Sequence, residues 1–435
     1  MSEKQHKLSL FTAILINVNI MIGAAIYINP PLMTSQVGST SYLTWFFGGL
    51  IFLPVVLSVT AISKLFPGEG GFYNYARKGL GSLAGFSTGW IYFLSYTGMA
   101  AVQESALRMI LANKFQVQWV ANYPQLFNFL FFMSLACLSC LHLKSVGKIL
   151  NACTLFKLTP LLIVCLLPLF LSNNPSTNNL TFTPLDDPNF GLDSLTMTLP
   201  YAIFGFWGFE ACSSLSHRIK NNRAPLAILT GFIATSLIST LFHFNLLKIM
   251  GVENLAQSKM EDFVNYLPFQ NAFLIQNFSL LINISITTAY AVAIYGSLTS
   301  CSYLLHAMAK DKIIFCEKAL SKLNKQHQPI VAIFTMASIG FLFNLMIPKL
   351  NIMLALTNIG FCFAFIASLI SLAVLRKRRQ ENLKMLLPIL GLCSCALVTL
   401  YCYRALDSIY DLVFPACLLV LGVILYILNK RRQAI

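Results

Sequence analysis

A lysine stands where a lysine is hard to keep. Lys157 lies about ten residues into the apolar stretch 147–171, roughly 15 Å from its nearer end at about 1.5 Å per residue. That is too deep for the ammonium to reach water easily. An ionisable group at such depth points to an ion or substrate pathway, or to a structural partner that satisfies it. Ser297, Thr299 and Ser300 are hydroxyl residues in a later apolar stretch that could meet it. Glu210 closes the run Pro200–Glu210. Its carboxylate could gate or sense a proton, or stabilise the start of the helix that follows. Tyr96, Ala100 and Gln103 fall on one helical face at i, i+4 and i+7. Gln103 and Glu104 could read a polar or cationic side chain, although Glu104 could also pair with Arg108 four residues on. Cys137 and Cys140 form a CxxC, but it sits inside the apolar run 130–141. Thiolates are poorly tolerated in hydrocarbon, so the 12 cysteines read as small apolar side chains and neither metal nor cofactor is expected. His142, His243 and His306 show no ligand spacing.

Two stretches interrupt their own helices. The first reads Asn19-Ile20-Met21-Ile22-Gly23-Ala24-Ala25-Ile26-Tyr27, followed by Pro30 and Pro31. The second reads Phe204-Gly205-Phe206-Trp207-Gly208-Phe209-Glu210, preceded by Pro200. Glycine weakens a helix interior and proline removes a backbone donor. Unwound backbone at mid-membrane is tolerable only where it lines a cavity. Freed amides there favour a carboxylate, and freed carbonyls an ammonium, so a zwitterion fits both.

The elements that carry these residues follow from composition. Hydrophobic residues make up 57% of the 435 and charged residues only 10%. Mean hydropathy is +0.71. A soluble domain carries about 25% charge, so an ordinary soluble protein, a disordered chain and a coiled coil are all excluded. A membrane helix needs about 20 apolar residues. Twelve stretches qualify: about 8–36, 40–66, 82–112, 125–143, 147–171, 192–217, 224–249, 271–309, 329–347, 351–375, 385–404 and 408–428. The stretch 271–309 is too long for one straight crossing. The N-terminus reads as running directly into a retained first span, with no cleaved leader.

The net charge is +15, and its distribution matters more than its size. With the N-terminus inside, Arg108, Lys114, Lys248, Lys259, Lys349 and Arg404 fall outside and Lys157 within a span. All other lysines and arginines fall inside, which is the bias that sets membrane topology. The basic charge therefore implies a bilayer and no nucleic acid. The two interrupted stretches are the first and sixth, five spans apart. An odd offset inverts one copy against the other, and interrupted helices at matching positions point to a transporter's substrate site.

These residues resemble the amino acid–polyamine–organocation transporter family. Gly23-Ala24-Ala25-Ile26-Tyr27 is similar to the family's Gly-Ser/Ala-Gly-Ile-Phe at its first break. Pro67-Gly68-Glu69-Gly70-Gly71-Phe72-Tyr73-Asn74-Tyr75 is similar to Pro-x-x-Gly-Gly-x-Tyr-x-Tyr, and Gly89-Trp90 follows in place. Gly205-Phe206-Trp207-Gly208-Phe209-Glu210 matches the sixth helix, and Ala307-Met308-Ala309-Lys310-Asp311 the loop after the eighth. Ala25 departs from the family's second glycine, Asn222 from its usual proline, and His217-Arg218 from the acidic residues of many relatives.

The resemblance implies an all-α fold of about 12 transmembrane helices. A 5+5 inverted repeat would span 1–380, with copies at about 8–171 and 192–376 and broken helices one and six. Residues 381–435 would add two peripheral helices and a cytoplasmic tail. It implies a substrate site at Met21, Ile22, Gly23, Ala24, Ala25, Ile26, Tyr96, Ala100, Gln103, Phe204, Gly205, Trp207, Gly208 and Ser297, with Lys157 and Glu210 in coupling or gating. Lysine at this position replaces sodium in many relatives, bridging the first break to helix eight. The function expected is sodium-independent secondary transport of an amino acid or polyamine-like amine across the cytoplasmic membrane. Proton symport and substrate exchange both stay open. No ATPase motif or flavin site suggests an enzyme; the alternative class is a channel or a transporter-like nutrient receptor.

Overall fold

The computed structural model describes residues 7–23, 25–141, 143–170, 192–257, 265–266, 271–347, 350–404 and 408–434. Among these residues the chain is helical throughout. Its single extended contact is a bridge between Leu8 and Ile219. The first broken pair is α1 (Leu10–Met21) and α2 (Ala25–Val37), followed by α3 (Leu43–Leu65), α4 (Gly71–Leu80) and α5 (Ser82–Asn113). Then come α6 (Gln118–Asn122), α7 (Pro124–Ser139), α8 (Leu143–Phe170) and α9 (Leu192–Phe206), after which residues 211–218 form a 3₁₀ segment. The remainder is α10 (Ala224–Met250), α11 (Val252–Gln257), α12 (Ala272–Lys310), α13 (Glu317–Leu320), α14 (Ile330–Met346), α15 (Leu350–Arg378), α16 (Leu386–Arg404) and α17 (Val413–Ala434).

This is a multi-pass membrane protein. Among the described residues, α3, α8, α10, α12, α15, α16 and α17 are each long and apolar enough to cross a bilayer, and α1 with α2 makes an eighth crossing if the bent pair counts as one. Helices α7 and α14 are apolar but shorter. Helix α5 has 32 residues but carries Ser95, Thr97, Gln103 and Glu104 on faces that its neighbours bury, which dilutes its hydropathy. The expected count of twelve thus leans on α5, α7, α9 and α14 for its remainder. Helix α12 has 39 residues, longer than one perpendicular crossing needs.

Helix α5 runs through the middle, packed on α4, α12, α14, α15 and α17. The two halves of the first broken helix keep different company. Helix α1 lies against α8, α10 and α12, whereas α2 lies against α9 and α11. Proline-30 and proline-31 sit inside α2 and take two donors out of its ladder. Helices α16 and α17 have only 33% and 22% of their apolar windows buried, which puts them at the rim. Their exposed faces carry Leu390, Leu397, Val420 and Leu428, residues that suit lipid rather than water.

Candidate substrate site at two helix breaks

The first helix ends at Met21, and Ile22 leaves the helical region at φ −83, ψ 69. Carbonyls of the last turn are thereby left without intrahelical donors. Lys157, wholly buried on α8, supplies the donors. Its ammonium gives hydrogen bonds to the Asn19 carbonyl at 2.6 Å, Asn19 Oδ1 at 2.7 Å and the Ile22 carbonyl at 2.7 Å. A lysine has three N–H donors, so all are used. No carboxylate takes part. The ammonium is held as carbonyl oxygens hold a bound cation.

Asn19 carries the arrangement onward, donating through Nδ2 to the Val292 carbonyl of α12 at 2.8 Å. The link from Lys157 to α12 therefore runs through an asparagine amide. The hydroxyls expected there are used elsewhere: Ser297 and Thr299 bond back to Ala293 and Tyr295 of their own helix, and Ser300 reaches the Ala211 carbonyl at 2.7 Å. Ser285 is the α12 hydroxyl that reaches the residue, donating to the Lys157 carbonyl at 3.3 Å. Asn17, two residues before Asn19, receives the Cys212 backbone N–H on Oδ1 at 2.9 Å. The two asparagines tie α1 to the sixth-helix break and to α12. Neither had a role in the sequence reading; the available signal was a pair of amides inside an apolar span.

The second break runs from Trp207 to Glu210. Gly208 adopts φ +105, a region that favours glycine. A side chain there would also strike Ile20, whose Cγ2 would lie 2.3 Å from the added Cβ. At Gly205 a Cβ would meet Trp45 at 2.6 Å and Ala25 at 3.3 Å. The two breaks are thus in direct contact, glycine against Ile20 and Ala25. Trp207 is buried, donates from Nε1 to Asn358 Oδ1 at 2.6 Å and stacks on Phe361 with ring centres 5.1 Å apart. Asn358 is a third residue the sequence did not single out.

Glu210 is fully buried and stands at the N-cap of the 3₁₀ segment, but its side chain makes no capping hydrogen bond. Its Oε1 accepts from Tyr92 at 2.9 Å and Tyr96 at 3.0 Å, while Oε2 has no hydrogen-bond partner. Tyr96 therefore turns toward the carboxylate, and Tyr92, one turn earlier, joins it. Gln103 lies two turns further along α5. Its carboxamide packs over Gly23, with Oε1 3.2 Å from where a Cβ would stand, and that buried oxygen has no partner. Met21, Ile22, Ala25, Ile26 and Ala100 are buried around the first break and Phe204 is half-buried. Ala24 lies outside the described residues, as does His142. Glu104 forms no ion pair with Arg108. It accepts instead from Asn344 of α14, and from Asn128 of α7 at 3.1 Å when that amide turns its nitrogen to the carboxylate. His243 is buried in a full hydrogen-bond set, taking the Trp45 indole N–H on Nδ1 at 3.2 Å and meeting Thr34 and Ser41 at Nε2, each at 3.0 Å.

One end of the bundle is shut by the motifs that lie far apart in sequence. Leu8 pairs with the 218–220 strand-like turn, donating to the Arg218 carbonyl at 2.7 Å and accepting from Lys220 at 3.0 Å. Arg218 donates to the His327 carbonyl at 3.0 Å and lies 5.7 Å from the Tyr303 ring centre. Tyr73 donates to Asp311 at 2.6 Å, and Arg77 pairs with the same carboxylate. Burial, then the bond to Asp311, raises the Tyr73 hydroxyl well above the usual tyrosine range. The Gly-Gly-x-Tyr motif and the Lys-Asp motif thus meet at one ion pair. Among the described residues, no cysteine is disulfide-bonded and no three His, Cys, Asp or Glu side chains cluster as metal ligands.

Broken helices meeting at mid-bundle, an ammonium seated in freed carbonyls and a closed far end define a membrane permease. The amino acid permease family model matches residues 8–425, and the chain belongs to that family. It is similar to a branched-chain amino acid permease of Bacillus subtilis, 25% identical over 87% of this chain and 82% of that one. It is also similar to an aspartate-proton symporter of the same organism, at 22% over 87% and 74%. A third Bacillus subtilis relative, an amino-acid permease, is 24% identical over 72% and 69%. These relatives are permeases and transporters, not enzymes.

Proposed function

We propose that this chain is a sodium-independent secondary transporter of an amino acid or a related small amine, working by alternating access across the cytoplasmic membrane. The observation that carries the reading is Lys157. Its ammonium occupies a nest of three oxygens beside the first break, where a bound cation would otherwise be needed to hold the freed carbonyls. The substrate's carboxylate would bind at the free amides of the first break and its ammonium at the carbonyls of the second.

Helix packing supports a 5+5 inverted repeat. If α1–α2 is the first span and α9 with the 3₁₀ segment the sixth, spans five apart are α3 and α10, α5 and α12, and α7 and α14. Each of these pairs is in contact. The contacts of α8 with α12 and α10 are mirrored by those of α15 with α5 and α3, as a pseudo-twofold axis requires. Helices α16 and α17 stand outside this pattern at the rim. The closed end carries Arg77, Arg218, Lys220, Lys310 and Lys312, which supports its assignment to the cytoplasm with both termini. A channel reading is disfavoured by that closed end.

Counterflow in proteoliposomes tests the class. Excess unlabelled substrate inside should accelerate entry of labelled substrate, and a channel gives no such stimulation. A thermal-shift screen of amino acids and amines selects the substrate, because a bound ligand stabilises the fold by mass action.

Gln103 is placed to choose among substrates. Its orphan Oε1 faces the first break and would accept from a donor on the substrate. Gln103→Ala should change the preferred substrate, reordering uptake rates by about tenfold, the worth of one hydrogen bond in a dry site. Competition assays across a substrate panel read the order. An equal loss for every substrate would assign Gln103 to packing alone.

A further inference from the structure

At the closed end, His306 of α12 lies between two acceptors. Nδ1 is 2.6 Å from Glu69 Oε1, and Nε2 is 3.2 Å from the Ser321 carbonyl. A carbonyl only accepts, so Nε2 must carry a proton. Nδ1 and Glu69 Oε1, 2.6 Å apart, can hold each other only through a proton between them, since without it two lone pairs would face each other. Together with the proton on Nε2, the closed arrangement therefore holds one proton more than a neutral imidazole and a carboxylate.

The other charged and titratable groups around it leave this assignment in place. From the 3₁₀ segment, His217 accepts the Arg218 Nε–H on its own Nε2 at 3.1 Å, so that imidazole is neutral, and Arg218 is spent on the His327 carbonyl. On α12 itself, the Tyr303 hydroxyl donates to Gln328 at 2.9 Å, and Lys310 adds positive charge near Glu69. On α13, Glu317 turns away to Arg432 at 2.7 Å. Asp311 is engaged by Tyr73 and Arg77.

What His306 joins gives the contact a function. Glu69 sits in the turn between α3 and α4, and the Gly68 carbonyl of that turn takes the Ser216 hydroxyl of the 3₁₀ segment. Ser321 follows α13. Parting this end of the bundle requires the turn, the 3₁₀ segment and α12 to separate, so the contact must break. We propose that His306 is a proton-held latch: the proton it shares with Glu69 ties the 66–70 turn to α12, the Nε2 proton ties the segment after α13, and losing one proton releases them. The closed state binds one proton more than the open state, so acid favours closure and rising pH favours opening. This regulation rests on reading that end as the cytoplasmic gate of a transporter.

Hydrogen–deuterium exchange on the purified full-length protein tests it without substrate. Amides of 66–71 and 306–321 are followed from about pH 5.5 to about pH 8.5, across the imidazole range, and corrected with unstructured peptides for intrinsic chemistry. Corrected exchange should rise with pH, by at most about tenfold per unit, the ceiling for one linked proton. His306→Gln, which cannot titrate, should remove the slope. Glu69→Gln, which withdraws the negative partner, should move the rise to lower pH by about one unit or more. A flat wild-type profile, or the same slope in His306→Gln, overturns the latch. If His306→Gln does not fold, an unmoved midpoint in Glu69→Gln overturns it equally. The slope without counterflow would leave the latch and remove the transporter; counterflow without the slope would do the reverse.

Discussion

Lys157→Ala should lower uptake to below about one-hundredth of wild type while the protein still inserts. Removing the ammonium leaves the Asn19 carbonyl, its Oδ1 and the Ile22 carbonyl without their donor in a buried site. Each orphaned buried acceptor costs about 1–3 kcal/mol, and three such losses exceed the ~2.7 kcal/mol that a hundredfold represents. Water cannot repair the loss as a cation does, because it lacks the charge. Wild-type uptake should be unchanged when choline replaces sodium in the medium, since the positive charge is already built in. Radiolabelled uptake with surface-expression controls reads both. A sodium requirement, or full activity in Lys157→Ala, would end the assignment.

Gly208→Ala should be nearly as damaging, through geometry alone. A Cβ at φ +105 is strained, and it would have to displace Ile20, 2.3 Å away, at the turn that precedes the first break. The strain is about 1–3 kcal/mol and overpacking adds a similar amount. Pushing the two breaks apart moves the Asn19 carbonyl off Lys157. We expect uptake to fall about a hundredfold with a lowered melting temperature. Ala211→Gly, in the 3₁₀ segment just after the break and without the positive φ, provides the contrast and should keep most activity. Equal transport by Gly208→Ala and wild type would mean that the breaks need not touch.

Much of the broad architecture was written in composition and spacing. Long apolar runs in a chain with 10% charge leave only the membrane, and the two glycine-bearing interruptions mark where helices stop. The depth of Lys157 was legible because a charge is conspicuous among leucines. Its place against the first break came only with the family resemblance, because main-chain carbonyls have no letter in a sequence. The Asn19 side chain was not foreseen, since it looks like any amide until the helix around it ends. Glu104 went the other way. Arg108 at i+4 made an obvious partner on one helix, yet amides from α7 and α14 reached the carboxylate, because a long-range neighbour leaves no mark on local spacing. The meeting of Tyr73 with Asp311 was also hidden, although both motifs were visible, since 238 residues separate them.

The separate neighbours of α1 and α2 have a mechanical consequence. An unbroken helix through the membrane is a stiff rod, so tilting one end outward drives the other end inward. Ending one helix at Met21 and starting the next at Ala25 makes two short levers that lean on different walls, α8, α10 and α12 for one and α9 and α11 for the other, with Lys157 holding the inner end of the first. Either lever can then swing while its counterpart stays put. In the alternating-access transporter we propose, both doors can then close on the cargo before the second opens, and the membrane voltage meets a continuous barrier at every moment of the passage.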